Sequence, residues 1–205
     1  MKANRNDVCP CGSEKKYKKC CWNWREKWAA GIDRYECDQE IKDIIRGTYD
    51  FIAEHDYRGG CHTISAIMHI LLTEKGFNSI VRLGEVQIDR MTFDHSWIDL
   101  DGKVIDMAIM NTLQDGIKIP PVIFGESVST KKQVEYRYGV SQNIDRTAQV
   151  VLNMSIGNYL MGGVEQGTLA IMRIIAENAN ISFDNIEETV KKYSSIYRVK
   201  SVASV

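Results

Sequence analysis

Residues 95–106 read HSWIDLDGKVID: an apolar run opened by a histidine, an Asp-Gly pair, and a second apolar run closed by a carboxylate. Asp-Gly between two such runs is the strongest short-range signal for a two-residue hairpin turn. With Asp101-Gly102 as the loop, Leu100 pairs with Lys103, and every other pairing follows. Side chains alternate along a strand, so His95, Trp97 and Asp99 share a face with Val104, Asp106 and Ala108. Trp97 then stands opposite Asp106. His95 lies on the diagonal, roughly 7–8 Å away, where an imidazole and a carboxylate can meet. Asp99 lies further along the same strand and is the poorer partner. A slip of one residue would separate the pair onto opposite faces.

A histidine–aspartate pair on a half-exposed sheet is common and by itself means little. Upstream stands YRGGCHTISAIMHILLTEKGF (57–77). Ile64, Ile67, Met68, Leu71 and Leu72 recur at helical spacing, predicting an amphipathic helix that Gly76 ends. Cys61 lies three residues before Ile64, so its thiol joins the buried face in the first turn. There the helix dipole and unpaired N–H groups favour a thiolate, and the same N–H groups can receive an oxyanion. Gly59 and Gly60 are read as leaving room for a substrate backbone. Taken alone, this helix favours reading Cys61 as a small buried core cysteine. With His95 and Asp106 it becomes the nucleophile of an acyl-transfer site. His95 would take the thiol proton and return it to the leaving group, and Asp106 would hold the imidazole tautomer. The other histidines are not read as the base. His62 adjoins Cys61, and neighbouring helical side chains do not face each other. His55 ends a helix, and His69 is placed on the helix's polar side.

The run from Gly59 to Ala108, GGCHTISAIMHILLTEKGFNSIVRLGEV followed by HSWIDLDGKVIDMA, resembles the transglutaminase-like core of the papain-like superfamily. In that family a helix carries Cys, and a hairpin of form H-x-W-(I/V)-x-(L/V)-x-G-x-(V/I)-x-D supplies His and Asp. The resemblance covers roughly residues 50–110. It implies that Cys61, His95 and Asp106 are nucleophile, base and orienting carboxylate. RGGC and LLTEKGF also resemble arylamine N-acetyltransferases, which share this core and triad but usually have one more residue between glycines and cysteine. Those enzymes are longer, and their C-terminal pattern is not evident here.

Four of the six cysteines lie in CPCGSEKKYKKCC: Cys9, Cys11, Cys20 and Cys21. Two close pairs across a short loop suit a tetrahedral structural zinc site. Pro10 stiffens the first pair, and Gly12 permits a sharp turn. So short a segment has no core of its own, and metal binding would provide its folding energy. RNDVCPCGSEKKYKKCC resembles the SEC-C motif, the zinc module found at the C-terminus of the SecA translocation motor and appended to many other proteins; many members have histidine as the last ligand, where this chain has Cys21. The resemblance implies docking to a protein partner or the ribosome. Trp22, Trp24 and Trp28 fit that role, and fit equally a role in packing the module onto the body. Cys37 precedes the apolar stripe Ile41, Ile44, Ile45, Tyr49 and Ile52 and is read as a buried structural residue.

The chain has 205 residues, 44% of them hydrophobic, and a net charge of −1, enough for one core with a small appendage. Residues 1–28 hold eight Lys/Arg against three acids, a balance of +5 that leaves −6 on the remainder. That is a basic appendage on an acidic body. The sequence shows no secretory leader and no membrane-spanning run, so a cytoplasmic location is expected, where cysteines are metal ligands or catalytic thiols rather than disulfides. Nothing marks a nucleic-acid site, a phosphate loop or a second metal cluster.

KIPPVIFGESVS and KQVEYRYGV read as two further strands, with Pro120-Pro121 at an edge or bend. After Ser141 the pattern is helical, with Ser182 as an N-cap, and the tail RVKSVASV is read as frayed. The expected architecture is α+β: a Cys-bearing helix on an antiparallel sheet, as in the papain-like fold. The zinc module occupies 1–28, the catalytic core 29–141, and a helical C-terminal part packing on the core 142–205. The expected function is a cysteine-dependent hydrolase or acyltransferase (protease, amidase or transglutaminase-like) attacking an amide or thioester of a protein or peptide substrate. An acetyl-CoA-dependent acetyltransferase is an intermediate case. The alternative is a non-catalytic adaptor with a degenerate site, docking through its zinc module.

Overall fold

In a computed structural model that describes residues 4–8, 15–19, 22–114, 118–163 and 167–202, the hairpin closes as its turn demands. Asp101 and Gly102 both take positive φ, 52° and 77°, the geometry of a two-residue turn matched to strand twist. Strands β2 (Met91–Leu100) and β3 (Lys103–Ile105) pair as Leu100↔Lys103, Asp99↔Val104 and Ile98↔Ile105. β1 (Ser79–Ile88) runs antiparallel along the whole of β2. Of the two strands expected downstream, the first instead folds back on itself at Phe124-Gly125, where both residues take positive φ, and the second forms only over Arg137–Tyr138. β4 (Val122–Ile123) and β5 (Glu126–Ser127) make a separate small hairpin, and β6 (Arg137–Tyr138) pairs with β1.

The tail differs from expectation. Val199–Lys200 is a strand, β7, parallel to β1, and the Ser201 N–H donates to the Leu83 carbonyl at 2.8 Å. Gly84 makes this possible, since a Cβ there would lie 2.6 Å from the Ser201 carbonyl oxygen. Val199 and Lys200 carry too short a strand signal to read in the sequence; a ready sheet edge recruited them. Among the described residues the main sheet thus has the order β3-β2-β1, with β6 and β7 sharing the far edge of β1.

Helices cover this sheet. α1 (Trp24–Asp33) and α2 (Gln39–His55) precede α3 (Cys61–Glu74). α2 starts at Asp38, whose carboxylate accepts the Glu40 N–H at 2.9 Å, an N-cap. Cys37 therefore lies outside the helix, half-buried against the core. α4 (Arg146–Leu152), α5 (Ile156–Asn158) with the wide turn Tyr159–Gly163, α6 (Thr168–Asn178) and α7 (Ile186–Lys191) form the C-terminal helical layer. α7 begins at Asn185, whose side-chain oxygen accepts from Glu187 and Glu188 N–H. The cap is Asn185 rather than Ser182, because only Asn185 stands directly before the helical turn. α2 and α6 touch backbone to backbone at Gly47. A Cβ there would come within 2.8 Å of the Ala179 nitrogen and 2.9 Å of the Ile175 carbonyl oxygen.

α3 is the centre of the molecule, and here the amphipathic expectation is corrected. From Thr63 to Leu72 every side chain is buried, including those that read as its polar face. Each polar one has a partner: the Thr63 hydroxyl meets Tyr159 Oη at 3.0 Å, Ser65 Oγ donates to the His62 carbonyl, and His69 Nδ1 meets Ser79 Oγ at 2.8 Å. Hydrogen bonding replaces solvation, so polarity did not mark exposure.

His69 is thus a neutral core residue, its pKa pushed down to about 4 by burial and by the Arg198 charge. Its folded value lies below the unfolded value of about 6.5, so the unfolded chain binds the extra proton first. Stability is therefore lost as pH falls from about 6.5 towards 4, by up to roughly 3 kcal/mol. Denaturant midpoints of wild type and His69→Gln should converge across that window as pH falls. Parallel curves would show that His69 titrates normally.

Candidate active site

The chain reaches Cys61 through a tight loop. Gly59 takes φ +67° and its N–H donates to the Asn111 carbonyl at 3.0 Å. Buried Asn111 returns a side-chain N–H to the Tyr57 carbonyl at 2.8 Å. One asparagine thus ties the loop before the cysteine to the turn after Asp106. The two glycines do not leave space for a substrate. A Cβ on Gly60 would sit 1.9 Å from the Tyr57 ring, and one on Gly59 2.7 Å from Leu113. They admit the protein's own side chains, and Gly59 also needs its left-handed backbone.

Cys61 opens α3, with Gly60 at the N-cap offering no side chain to its first N–H groups. The helix dipole there favours an anion in front of the sulfur. His95 and Asp106 are both buried, at 2% and 1% exposure, and His95 Nε2 lies 2.9 Å from Asp106 Oδ1. With Nε2 committed to the carboxylate, Nδ1 is the ring nitrogen left for the thiol, and His95 acts on Cys61 to favour its thiolate. Asp106 has left the ladder that would set it opposite Trp97. It bridges Val122 instead, N–H to carbonyl at 2.8 Å and back at 3.0 Å. β3 covers only Ile98–Leu100 of β2, so the flank of β2 beside His95 is free for the cysteine and the carboxylate. Asp106 is further held by the Ile109 N–H on Oδ1 and by the Tyr138 hydroxyl donating to Oδ2, both at 3.1 Å. Asp99 turns to Arg82 on β1, at 3.0 Å.

Electrostatics follow from this packing. Burial would push the Cys61 thiol up, but the charges and hydrogen bonds of His62 and His95 outweigh it and hold the thiol well below its ordinary range. Burial would lower His95, and the Asp106 carboxylate and Cys61 sulfur instead raise it to about 10. Both directions favour a thiolate–imidazolium pair. His62 is the residue the sequence reading set aside. It acts on the Cys61 thiol, lowering its pKa, and its Nδ1 meets Ser96 Oγ at 2.7 Å. The rule that adjacent helical side chains diverge applies inside a helix; Cys61 is the first helical residue, with no preceding turn to constrain it. Arg198, 4% exposed, donates to the His62 and Val151 carbonyls and stacks on the Tyr159 ring at 4.4 Å. Burial lowers its pKa to about 10. Nothing in the sequence pairs Tyr138, Asn111 or Arg198 with residues 32 to 136 positions away.

At the N-terminus, Tyr17 N–H donates to the Asp7 carbonyl at 2.8 Å and Val8 bridges Lys16. The Trp22 N–H then returns to the Tyr17 carbonyl at 2.9 Å, with the two rings edge to face at 5.6 Å. Residues 5–23 match the SEC-C motif. The four predicted ligands of this SEC-C segment, Cys9, Cys11, Cys20 and Cys21, lie outside the described residues. Their chemistry, four thiols in two close pairs, is a donor set that structural zinc accepts. Among the described residues no cluster of His, Cys, Asp or Glu could hold a metal. Beyond the SEC-C segment the tryptophans divide: Trp22 is 48% exposed, while Trp28 is in the core against Trp24 at 4.9 Å. Over 64 residues the chain is 36% identical to the uncharacterized protein YccF of Bacillus subtilis (strain 168), covering 27% of this chain and 18% of that protein. The chain therefore spans under a fifth of that relative. No solved structure matches it. No helix among the described residues is long and apolar enough to cross a membrane.

Proposed function

We propose that the chain is a cysteine-dependent acyl-transfer enzyme, a hydrolase or acyltransferase on an amide or thioester. The observation that carries this reading is the buried chain Cys61–His95–Asp106, with the His95–Asp106 bond at 2.9 Å and the thiol depressed despite burial. Holding a thiolate and an imidazolium away from water is costly for stability alone, and perturbed pairs of this kind belong to catalytic clefts. The resemblance of residues 50–110 to the transglutaminase-like, papain-like core supports the same roles.

In the first step Cys61 sulfur attacks the carbonyl carbon. The oxyanion faces the N–H groups opening α3, and the His95 proton goes to the departing amine or thiol. A thioester remains on Cys61. Water or an acceptor nucleophile then gives a proton to His95 and attacks the thioester, releasing the acyl group and restoring the thiolate. Asp106 orients the ring throughout.

Intact-mass spectrometry after mixing with activated thioesters tests this. Wild type should gain one acyl group, localised to Cys61, and Cys61→Ala should gain none. Labelling at Cys37 with Cys61 left free would overturn the reading. The SEC-C segment is proposed to fold around structural zinc on Cys9, Cys11, Cys20 and Cys21. With its +5 balance over residues 1–28 and its exposed Trp22, it supplies a docking module for a protein partner or ribosome. That docking role is also the core of the second reading, an adaptor whose site is inactive.

A further inference from the structure

Four buried side-chain polar atoms among the described residues have no hydrogen-bond partner: Asp94 Oδ1, Thr112 Oγ1, Gln114 Oε1 and Arg198 Nε. The first three belong to one place. Asp94, Thr112 and Gln114 line the cleft of about 320 Å3, counted out to its mouth, that Cys61 and His95 also line. Buried oxygens without partners are rare in native proteins and mark a position that a ligand or water completes. Asp94 is held on one side only. Its other oxygen accepts the Asp145 N–H at 2.7 Å, which fixes the carboxylate with one lone-pair edge unused.

The chemistry of the missing partner can be read from the three atoms. A carboxylate and a carboxamide oxygen only accept, and a threonine hydroxyl accepts as well as donates. Three acceptors around one cleft match three N–H donors. The charge around Asp94 is itself acidic: Glu85 stands directly opposite on β1 and Asp145 adjoins. A cation is favoured there over a neutral amide.

We propose that Asp94, Thr112 and Gln114 form a subsite for a primary ammonium group. The substrate is then an acyl compound carrying that ammonium within a few bonds of the carbonyl that Cys61 attacks, an α-aminoacyl group being the smallest example. The assignment of the carbonyl rests on the acyl-transfer reading; the ammonium subsite does not. Phe93, Ala108 and Leu113 complete the cleft wall.

Glycinamide and N-acetylglycinamide separate the charged group from its neutral counterpart. Amide NMR shifts at residues 94, 112 and 114 should follow glycinamide and ignore the acetylated compound. Asp94→Asn keeps the acceptor for Asp145 and should weaken glycinamide about 10- to 100-fold, with Thr112→Val as a second, neutral variant giving a smaller loss. Equal response to both compounds, no response to glycinamide at tens of millimolar, or unchanged affinity in Asp94→Asn would each overturn the subsite. Acylation of Cys61 by glycyl and N-acetylglycyl thioesters is then compared. Glycinamide binding without any Cys61 acylation leaves the subsite standing and removes the acyl-transfer reading. Acylation that prefers the acetylated thioester removes the subsite alone.

Discussion

Replacing His95 with alanine is expected to move the pH midpoint of Cys61 alkylation upward by more than one unit. At mildly acidic pH this is a loss of at least about tenfold in alkylation rate. The thiolate, not the thiol, reacts, so the rate at each pH reports the ionised fraction. In the wild type that fraction survives burial because two imidazoles face the sulfur. Without His95, burial remains and part of the compensation is gone. His62 still lowers the Cys61 thiol, so the midpoint should stop short of that of a buried thiol with no partner. His62→Ala makes the complementary cut, and the double variant should exceed either. Cys37 serves as internal control, since burial raises its pKa and no histidine is among its neighbours. Peptide-level mass spectrometry across pH 5 to 10, about the range spanned by ordinary histidine and cysteine pKa values, reads both cysteines at once. A Cys61 midpoint near that of Cys37 in the wild type, unmoved by His95→Ala, would mean that no thiolate–imidazolium pair exists. The acyl-transfer reading would fall with it.

The hairpin was legible because a two-residue turn leaves no freedom. Once Asp101 and Gly102 take positive φ, the pairings 98↔105, 99↔104 and 100↔103 follow. Cys61 at a helix start was legible because Gly-Gly breaks the chain and helical apolar spacing begins immediately after it. The remaining parts of the site are single polar residues whose partners are distant in sequence: Tyr138 on Asp106, Asn111 on the Tyr57 loop, Arg198 under His62. A hydrogen bond imposes no periodicity, so no local pattern announces it. The same reason explains the misplaced polar side of α3. His69 looks solvent-directed by type, yet it is buried with a hydroxyl partner. The tail strand failed for a different cause. Val199 and Lys200 are both exposed, so β7 is held by backbone pairing to an existing edge rather than by a buried apolar face.

Asp106→Asn distinguishes an orienting carboxylate from a structural one. Asp106 Oδ1 takes His95 Nε2 and the Ile109 N–H, and Oδ2 takes the Tyr138 hydroxyl. An asparagine can keep all three contacts by facing its oxygen to His95 and Ile109 and its NH2 to Tyr138, whose hydroxyl can accept. The fold should therefore survive, with a stability change near 1 kcal/mol, the scale of one neutral hydrogen bond exchanged for another. What disappears is the charge that raises His95. Neutral asparagine no longer supports the imidazolium, so the thiolate loses its counter-charge and the leaving group its proton donor. Turnover should fall by about 10³- to 10⁴-fold, the scale seen when a triad loses its orienting carboxylate. Asp106→Ala behaves differently, because it strands the Ile109 N–H and the Tyr138 hydroxyl, each unsatisfied group costing about 1–3 kcal/mol. Tyr138→Phe removes one bond to Oδ2 and keeps the charge, so it should lower turnover far less than Asp106→Asn. The decisive comparison is between folding and rate in the asparagine variant. A stable protein with turnover within a few-fold of wild type would assign Asp106 to holding the turn into Ile109, with catalysis resting on Cys61 and the histidines alone. A stable protein with the large loss, and a Cys61 alkylation midpoint shifted upward in parallel, would place the carboxylate in the proton-transfer chain, acting through His95.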